Sequence, residues 1–144
     1  MEPPMKCPFC KPYDDDIVIK NDFCYARWER FPTSKGHLLV LPFRHTPNFF
    51  TLSQEERLAM MFLIDECKGV IEENFKPEGY NIGFNVGGAA GQTIMHCHCH
   101  VIPRYPGDVL EVRGGIRNVV PSKQRLSPIP LIERKKTVSI QTRK

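Results

Sequence analysis

Residues 91–104 read Gly91-Gln92-Thr93-Ile94-Met95-His96-Cys97-His98-Cys99-His100-Val101-Ile102-Pro103-Arg104, and three of the chain's five histidines fall at alternate positions within them. Side chains alternate along a strand, so His96, His98 and His100 share one face at spacings of about 6 to 7 Å, while Cys97, Cys99 and Val101 share the other. The cysteine face is small and apolar, as a core requires. The histidine face is different, because a buried row of imidazoles leaves ring nitrogens unpaired unless a ligand, a metal or a carbonyl meets them. The pattern therefore predicts a strand over 93–103 with a binding or catalytic surface on one side. Imidazole serves as a nucleophile, as a hydrogen-bond donor or, when protonated, as an electrostatic clamp, so such a row suits a phosphate. Just upstream, Gly87, Gly88 and Gly91 allow backbone amides to approach an anion, and Gln92 and Thr93 add side-chain donors.

Further upstream, Ser53 followed by Glu56 is a capping-box signal, and Met60, Leu63, Ile64, Cys67, Val70, Ile71 and Phe75 recur at helical spacing. A helix over about 54–75 follows, stopped by Pro77 and Gly79. Ile17 to Ile19, Phe23 to Trp28, His37 to Leu41 and Tyr80 to Val86 are short apolar runs between turn formers and read as strands, the first three as an antiparallel meander. One long helix on an antiparallel sheet of about five strands is an α+β fold. The organisation read from this pattern is a domain over 1–120 and a basic tail over 121–144, where proline and lysine occur without periodicity.

A chain of 144 residues with 41% hydrophobic and 25% charged residues can bury one core. No apolar run reaches membrane-spanning length and no leader pattern opens the chain, so a cytoplasmic location is expected and no membrane partner. In that reducing setting the six cysteines are expected as thiols, with Cys24, Cys67, Cys97 and Cys99 as small buried apolar residues. The net charge of +4 is concentrated in the tail and argues weakly for a nucleic acid partner. Cys7 and Cys10 form a Cys-x-x-Cys pair that can present two thiolates to one tetrahedral metal, which needs two further ligands. Phe9, Phe23, Tyr25 and Trp28 are read first as core residues. Arg113 and Arg117 are either a solvated pair or contacts to a distal phosphate.

The His96-x-His98-x-His100 run followed by Val101 and Ile102 resembles the signature of the histidine triad (HIT) superfamily. The likeness continues in Cys7-Pro8-Phe9-Cys10, Glu29-x-x-Pro32-x-x-x-Gly36-His37, Val40-Leu41-Pro42-x-x-His45, Gly83-x-Asn85 and Gly91-Gln92-Thr93. Pro103-Arg104-Tyr105 and Arg113-Gly114-Gly115 are similar to a bacterial branch that resembles diadenosine polyphosphate hydrolases. The resemblance implies a HIT-like fold, a purine nucleotide substrate and a homodimer. It also implies hydrolysis or nucleotidyl transfer on dinucleoside polyphosphates or nucleoside phosphoramidates. By the same resemblance His98 is the nucleophile that becomes transiently nucleotidylated, with His100 and His37 as helpers. Asn85, Gly91, Gln92 and Thr93 stand where the family meets phosphate or leaving group. Glu29 stands where it holds the ribose hydroxyls, one methylene longer than the family's aspartate. Relatives that carry the cysteine pair use the positions of His45 and His96 to complete a structural zinc site, and no organic cofactor is implied. Two other readings stay open: a zinc hydrolase in which His96, His98 and a third ligand hold a catalytic metal, and a non-catalytic nucleotide-binding interaction protein.

Overall fold

A computed structural model describes residues 7–126 and 139–140. Six regular elements follow in order: β1 (Ile19–Lys20), β2 (Cys24–Trp28), β3 (Leu38–Pro42), α1 (Gln54–Asn74), β4 (Gly79–Phe84) and β5 (Cys99–Arg104). The strands form one sheet in the order β1-β2-β3-β5-β4, with every neighbouring pair antiparallel. The expected meander and the α+β architecture are both present. Among the described residues no helix is long and apolar enough to cross a membrane.

The helix forms where the capping box places it. Ser53 Oγ accepts the Glu56 N–H at 3.1 Å, and Glu56 Oε1 accepts the Ser53 N–H at 2.8 Å, so two otherwise orphaned donors are satisfied together. Arg44 Nη2 closes on the same carboxylate at 2.7 Å, which ties the start of α1 to the segment that carries His45.

Alternation along the strands gives the sheet two different faces. Cys24, Ala26, Leu38, Val40, Cys99 and Val101 turn toward α1 and pack with Ala59, Met60, Leu63, Cys67 and Ile71. Tyr25, Leu39 and Leu41 turn the other way and pack with Phe9 of the N-terminal loop. Register places Leu39 opposite His100 and Gly83 on its other side, so His100 belongs to the second face.

β4 ends at Phe84 rather than at Val86, and the boundaries of the first and fifth strands also differ from the sequence expectation. The first strand pairs only at Ile19–Lys20, although the Val18 N–H still donates to the Ala26 carbonyl at 2.8 Å. The fifth strand begins at Cys99 rather than at residue 93. Its pairing with β3 ends at Val40 because Pro42 has no N–H to offer and its carbonyl is taken by the His96 ring at 2.8 Å, while the Cys97 N–H goes to the Thr46 carbonyl at 2.7 Å.

The chain divides into two compact units, residues 1–109 and 110–144. Residues 110–120 lie in the second of these units. There Gln124 Nε2 donates to the carbonyls of Glu111 and Arg113, and Arg117 Nη2 to that of Lys123. Of the basic tail expected over 121–144, only 121–126 and 139–140 are within the described residues.

The β2–β3 connection delivers His37 to the sheet through Gly36, whose φ of +88° belongs to the left-handed region. A Cβ there would lie 2.8 Å from Cδ2 of the Phe75 ring. Gly36→Ala is therefore expected to destabilise the chain by about 1–3 kcal/mol, read as a lower midpoint in urea at unchanged m-value.

Candidate active site

The histidine row divides between two environments. His96 is fully buried and donates from Nε2 to the Pro42 carbonyl, which leaves the lone pair on Nδ1. That nitrogen lies 3.4 Å from Cys7 Sγ, 3.6 Å from Cys10 Sγ and 3.3 Å from His45 Nδ1, and Cys10 Sγ is 3.1 Å from His45 Nδ1. All four ligand atoms fall within 4.8 Å of one another. Bonds of about 2.3 Å to sulfur and about 2.05 Å to nitrogen give a tetrahedron with nitrogen–nitrogen and nitrogen–sulfur edges of about 3.3–3.6 Å, close to these separations, and a sulfur–sulfur edge of about 3.8 Å. Burial, reinforced by the neighbouring Cys7, raises the Cys10 thiol above its ordinary value, a penalty that a cation between the sulfurs would relieve. The donor set fits a closed Cys2His2 metal site, and the four residues predicted for it are brought together.

His98 is held differently. Its Nδ1–H donates to the His96 carbonyl at 2.7 Å, so Nε2 is the ring nitrogen with a free lone pair. His98 lines a cleft of about 400 Å³ together with Phe9, Glu29, Phe31, Thr33, His37, Asn85, Gly91, Thr93, Ile94 and His100. Sequence reasoning had not singled out Phe31, Thr33 or Ile94. Their signal was only adjacency, since they flank Glu29, His37 and the histidine run.

A chain of donors sets the remaining two imidazoles. The Thr33 N–H donates to His37 Nδ1 at 3.1 Å, so His37 carries its proton on Nε2, which meets His100 Nδ1 at 2.9 Å. His100 accepts there and keeps its own proton on Nε2. Burial, with His100 adding to it, pushes His37 down to about 4, and burial also lowers His100. Both rings are neutral donors near pH 7. Glu29 lies within 4.8 Å of both rings, but the His37 lone pair is spent on Thr33, so His37 and His100 form a hydrogen-bonded relay with the carboxylate beside it. A metal shared by His96 and His98 has no geometry to support it, because His98 Nδ1 is bonded to the backbone and His98 enters neither ligand cluster found among the described residues.

Gln92 is the predicted site residue that the cleft does not include. It is buried, its Nε2 donates to the carbonyls of Pro47 at 2.6 Å and Ile94 at 3.1 Å, and its Oε1 accepts the Gly87 N–H at 2.8 Å. Gln92 braces the loop. The amides of Ala90, Gly91 and Gln92 are likewise used within that turn, so the anion cradle expected from the glycines is smaller than the sequence suggested.

Fold and site together define a small α+β domain that presents a backbone-anchored imidazole at the floor of a cleft beside a Cys2His2 cluster. The family described as HIT domain matches residues 11–107, and the chain belongs to the HIT family. AP-4-A phosphorylase of Mycobacterium tuberculosis is 32% identical over 112 residues, which are 76% of this chain and 57% of that protein. The protein named hit of Bacillus subtilis is 33% identical over 103 residues, covering 69% of this chain and 71% of its own. A crystal structure of a Zn-bound histidine triad family protein from Mycobacterium smegmatis superposes with a TM-score of 0.60 at 30% identity, covering 66% of this chain and 69% of that one.

The depressed His37 value has a consequence for stability. Between its ordinary value of 6.5 and about 4 the unfolded chain binds a proton that the folded chain refuses, so this group's contribution to stability falls as pH falls through that window and is flat above it. Urea unfolding at pH 7.5, 6.0 and 5.0 should show that decline, with a shallower slope in His37→Asn.

Proposed function

We propose that the protein is a nucleotide hydrolase or nucleotidyl transferase in which His98 Nε2 attacks the phosphorus attached to a nucleoside. The observation that carries this reading is the 2.7 Å bond from His98 Nδ1–H to the His96 carbonyl, which leaves Nε2 as the free nitrogen on a residue lining the cleft. A P–N bond forms as the bond to the leaving group breaks, and the imidazolium positive charge is stabilised through Nδ1–H by that carbonyl. His100 Nε2–H is positioned by His37 as a neutral donor to a phosphate or leaving-group oxygen. Water then attacks the nucleotidyl-histidine and returns His98 to its starting form. Asn85, Gly91 and Thr93 border the same cleft and are assigned to phosphate and leaving group. Gln92 acts through the loop rather than by contact.

Glu29 accepts the Phe31 N–H at 3.3 Å on Oε1, and its other oxygen is available to a ribose hydroxyl. Phe9, Phe31 and Ile94 supply apolar wall for a purine. Dinucleoside polyphosphates and nucleoside phosphoramidates are the proposed substrates. The AP-4-A phosphorylase relative supports the first class, and the neutral donors of the cleft suit either. The cysteine pair is assigned to zinc, supported by the Zn-bound relative. Zinc would supply a cross-link between the N-terminal loop and the sheet, with Cys7, Cys10, His45 and His96 as ligands. Free thiols of this kind suit a cytoplasmic location. A second copy is the proposed partner for the exposed apolar face of α1 at Leu58, Met61 and Phe62.

Intact-protein mass spectrometry during turnover of diadenosine tetraphosphate and adenosine phosphoramidate should show an adenylyl adduct in the wild type and none in His98→Ala. The kcat of His98→Ala should fall by at least about three orders of magnitude. Partial recovery is expected when imidazole is added to His98→Gly, and undiminished turnover in His98→Ala would refute the covalent route. Metal analysis should find zinc at a stoichiometry near one per chain, lost in Cys10→Ser, with chelation lowering the thermal midpoint.

A further inference from the structure

Phe9 touches both halves of the site. It sits inside the turn that Cys7 and Cys10 close, where the Cys10 N–H reaches the Cys7 carbonyl at 3.4 Å. Its ring lies edge-on to His96, with centroids 5.9 Å apart at 83°, and edge-on to His98 at 5.3 Å and 61°. It is 7% exposed, and it lines the cleft. The rest of the residue is anchored as well. Tyr25 OH donates to the Phe9 carbonyl at 2.7 Å, and the Arg27 guanidinium stands 5.4 Å from the ring centroid. Arg27 is itself buried, donating to the Pro8 carbonyl at 3.4 Å and pairing with Asp16 at 3.8 Å.

We infer that Phe9 is a positioning residue that transmits the state of the Cys7, Cys10, His45 and His96 cluster to the ring of His98. The inference takes the role of His98 from the proposed function. A single hydrogen bond at Nδ1 fixes one edge of the His98 ring and leaves it able to tilt about that bond. The Phe9 ring opposes the tilt by contact, and His100, with its centroid 5.2 Å away, gives a second contact. When the cluster is closed around a metal, both sulfurs are fixed, so the turn between them and the Cα of Phe9 are fixed too. An open cluster releases the turn, and the ring loses its defined place beside His98. A second route exists through the backbone, since the carbonyl that anchors His98 belongs to His96 itself. The two routes make different predictions for a variant at Phe9.

The test uses the full chain with 15N-labelled histidine, as wild type and Phe9→Leu, each zinc-loaded and chelated. The first readout is the exchange rate of the His98 Nδ1 proton with water, and the second is the Kd for adenosine monophosphate by calorimetry. Zinc-loaded Phe9→Leu is expected to keep the wild-type zinc content and to exchange that proton about tenfold faster, the exchange rate being the readout of positioning, while its roughly fivefold weaker nucleotide binding also includes the lost direct contact with the purine. Chelation should accelerate exchange in the wild type to a similar extent and add little in Phe9→Leu. Equal acceleration by chelation in both proteins would assign the coupling to the His96 backbone and overturn the inference. Should the chelated chain unfold, the zinc-loaded pair decides alone, and an unchanged exchange rate in Phe9→Leu overturns it. Failure of the wild type to bind the nucleotide would count against the proposed function, while the exchange rates would still decide the role of Phe9.

Discussion

The hydrogen bond from His96 Nε2 to the Pro42 carbonyl is the contact on which the site turns. It is buried, it joins segments 54 positions apart in the chain, and it decides the tautomer of a residue that faces three directions. With the proton on Nε2, Nδ1 is available to the sulfur atoms of Cys7 and Cys10, and the backbone carbonyl of the same residue anchors His98. Removing the Pro42 acceptor from the sheet ladder also ends the β3–β5 pairing at Val40 and Cys99. The chain gives up ladder bonds at this point, and the released groups become the fixed framework of the cleft.

Three histidines at alternate positions have three different jobs because their partners differ. His96 is tied to a carbonyl through its ring, His98 to a carbonyl through its other ring nitrogen, and His100 to the Nε2–H of His37. Each partner is an acceptor or donor of fixed sense, so each ring has one tautomer and one free nitrogen. The Thr33 amide sets the start of the His37–His100 relay, and it is a backbone group whose placement depends on the turn before Gly36. Burial lowers His37 and His100, so both rings stay neutral and keep a fixed donor sense near pH 7.

The alternation of residues 96–104 and the capping box at Ser53 were legible in the sequence because both are local and periodic. The Cys2His2 set was legible only in part. A Cys-x-x-Cys spacing identifies two ligands, whereas His45 and His96 came from the family likeness, since nothing local distinguishes them from core histidines. Gln92 shows the limit. Its amide is consumed by Pro47, Ile94 and Gly87, and the Pro47 carbonyl lies 45 positions away, so a side chain that reads as a phosphate donor is a structural brace. The late start of the fifth strand, at Cys99, has the same origin, a side-chain to backbone bond that no window of sequence displays. Trp28 and Phe23, read as core residues, are 40% and 46% exposed because each stands at the end of, or just before, a strand whose middle carries the packing.

The sheet also separates two populations of cysteine. Cys24, Cys67, Cys97 and Cys99 lie on the α1 side of the sheet or on α1 itself, and burial pushes each thiol up to about 12. They are protonated at neutral pH and behave as small apolar side chains. Cys7 and Cys10 lie on the opposite side, partly exposed, with imidazole nitrogens rather than hydrocarbon for neighbours. Alternation along β5 sends Cys99 to one face and His100 to the other, and Cys97 and His98 just before the strand keep the same division. An alternating His-Cys run therefore places a thiol next to every imidazole in sequence while keeping it on the far side of the backbone in space. The thiols of Cys97 and Cys99 are thereby kept off the cleft that His98 and His100 line, and Cys7 and Cys10 are the two cysteines that meet imidazole nitrogens.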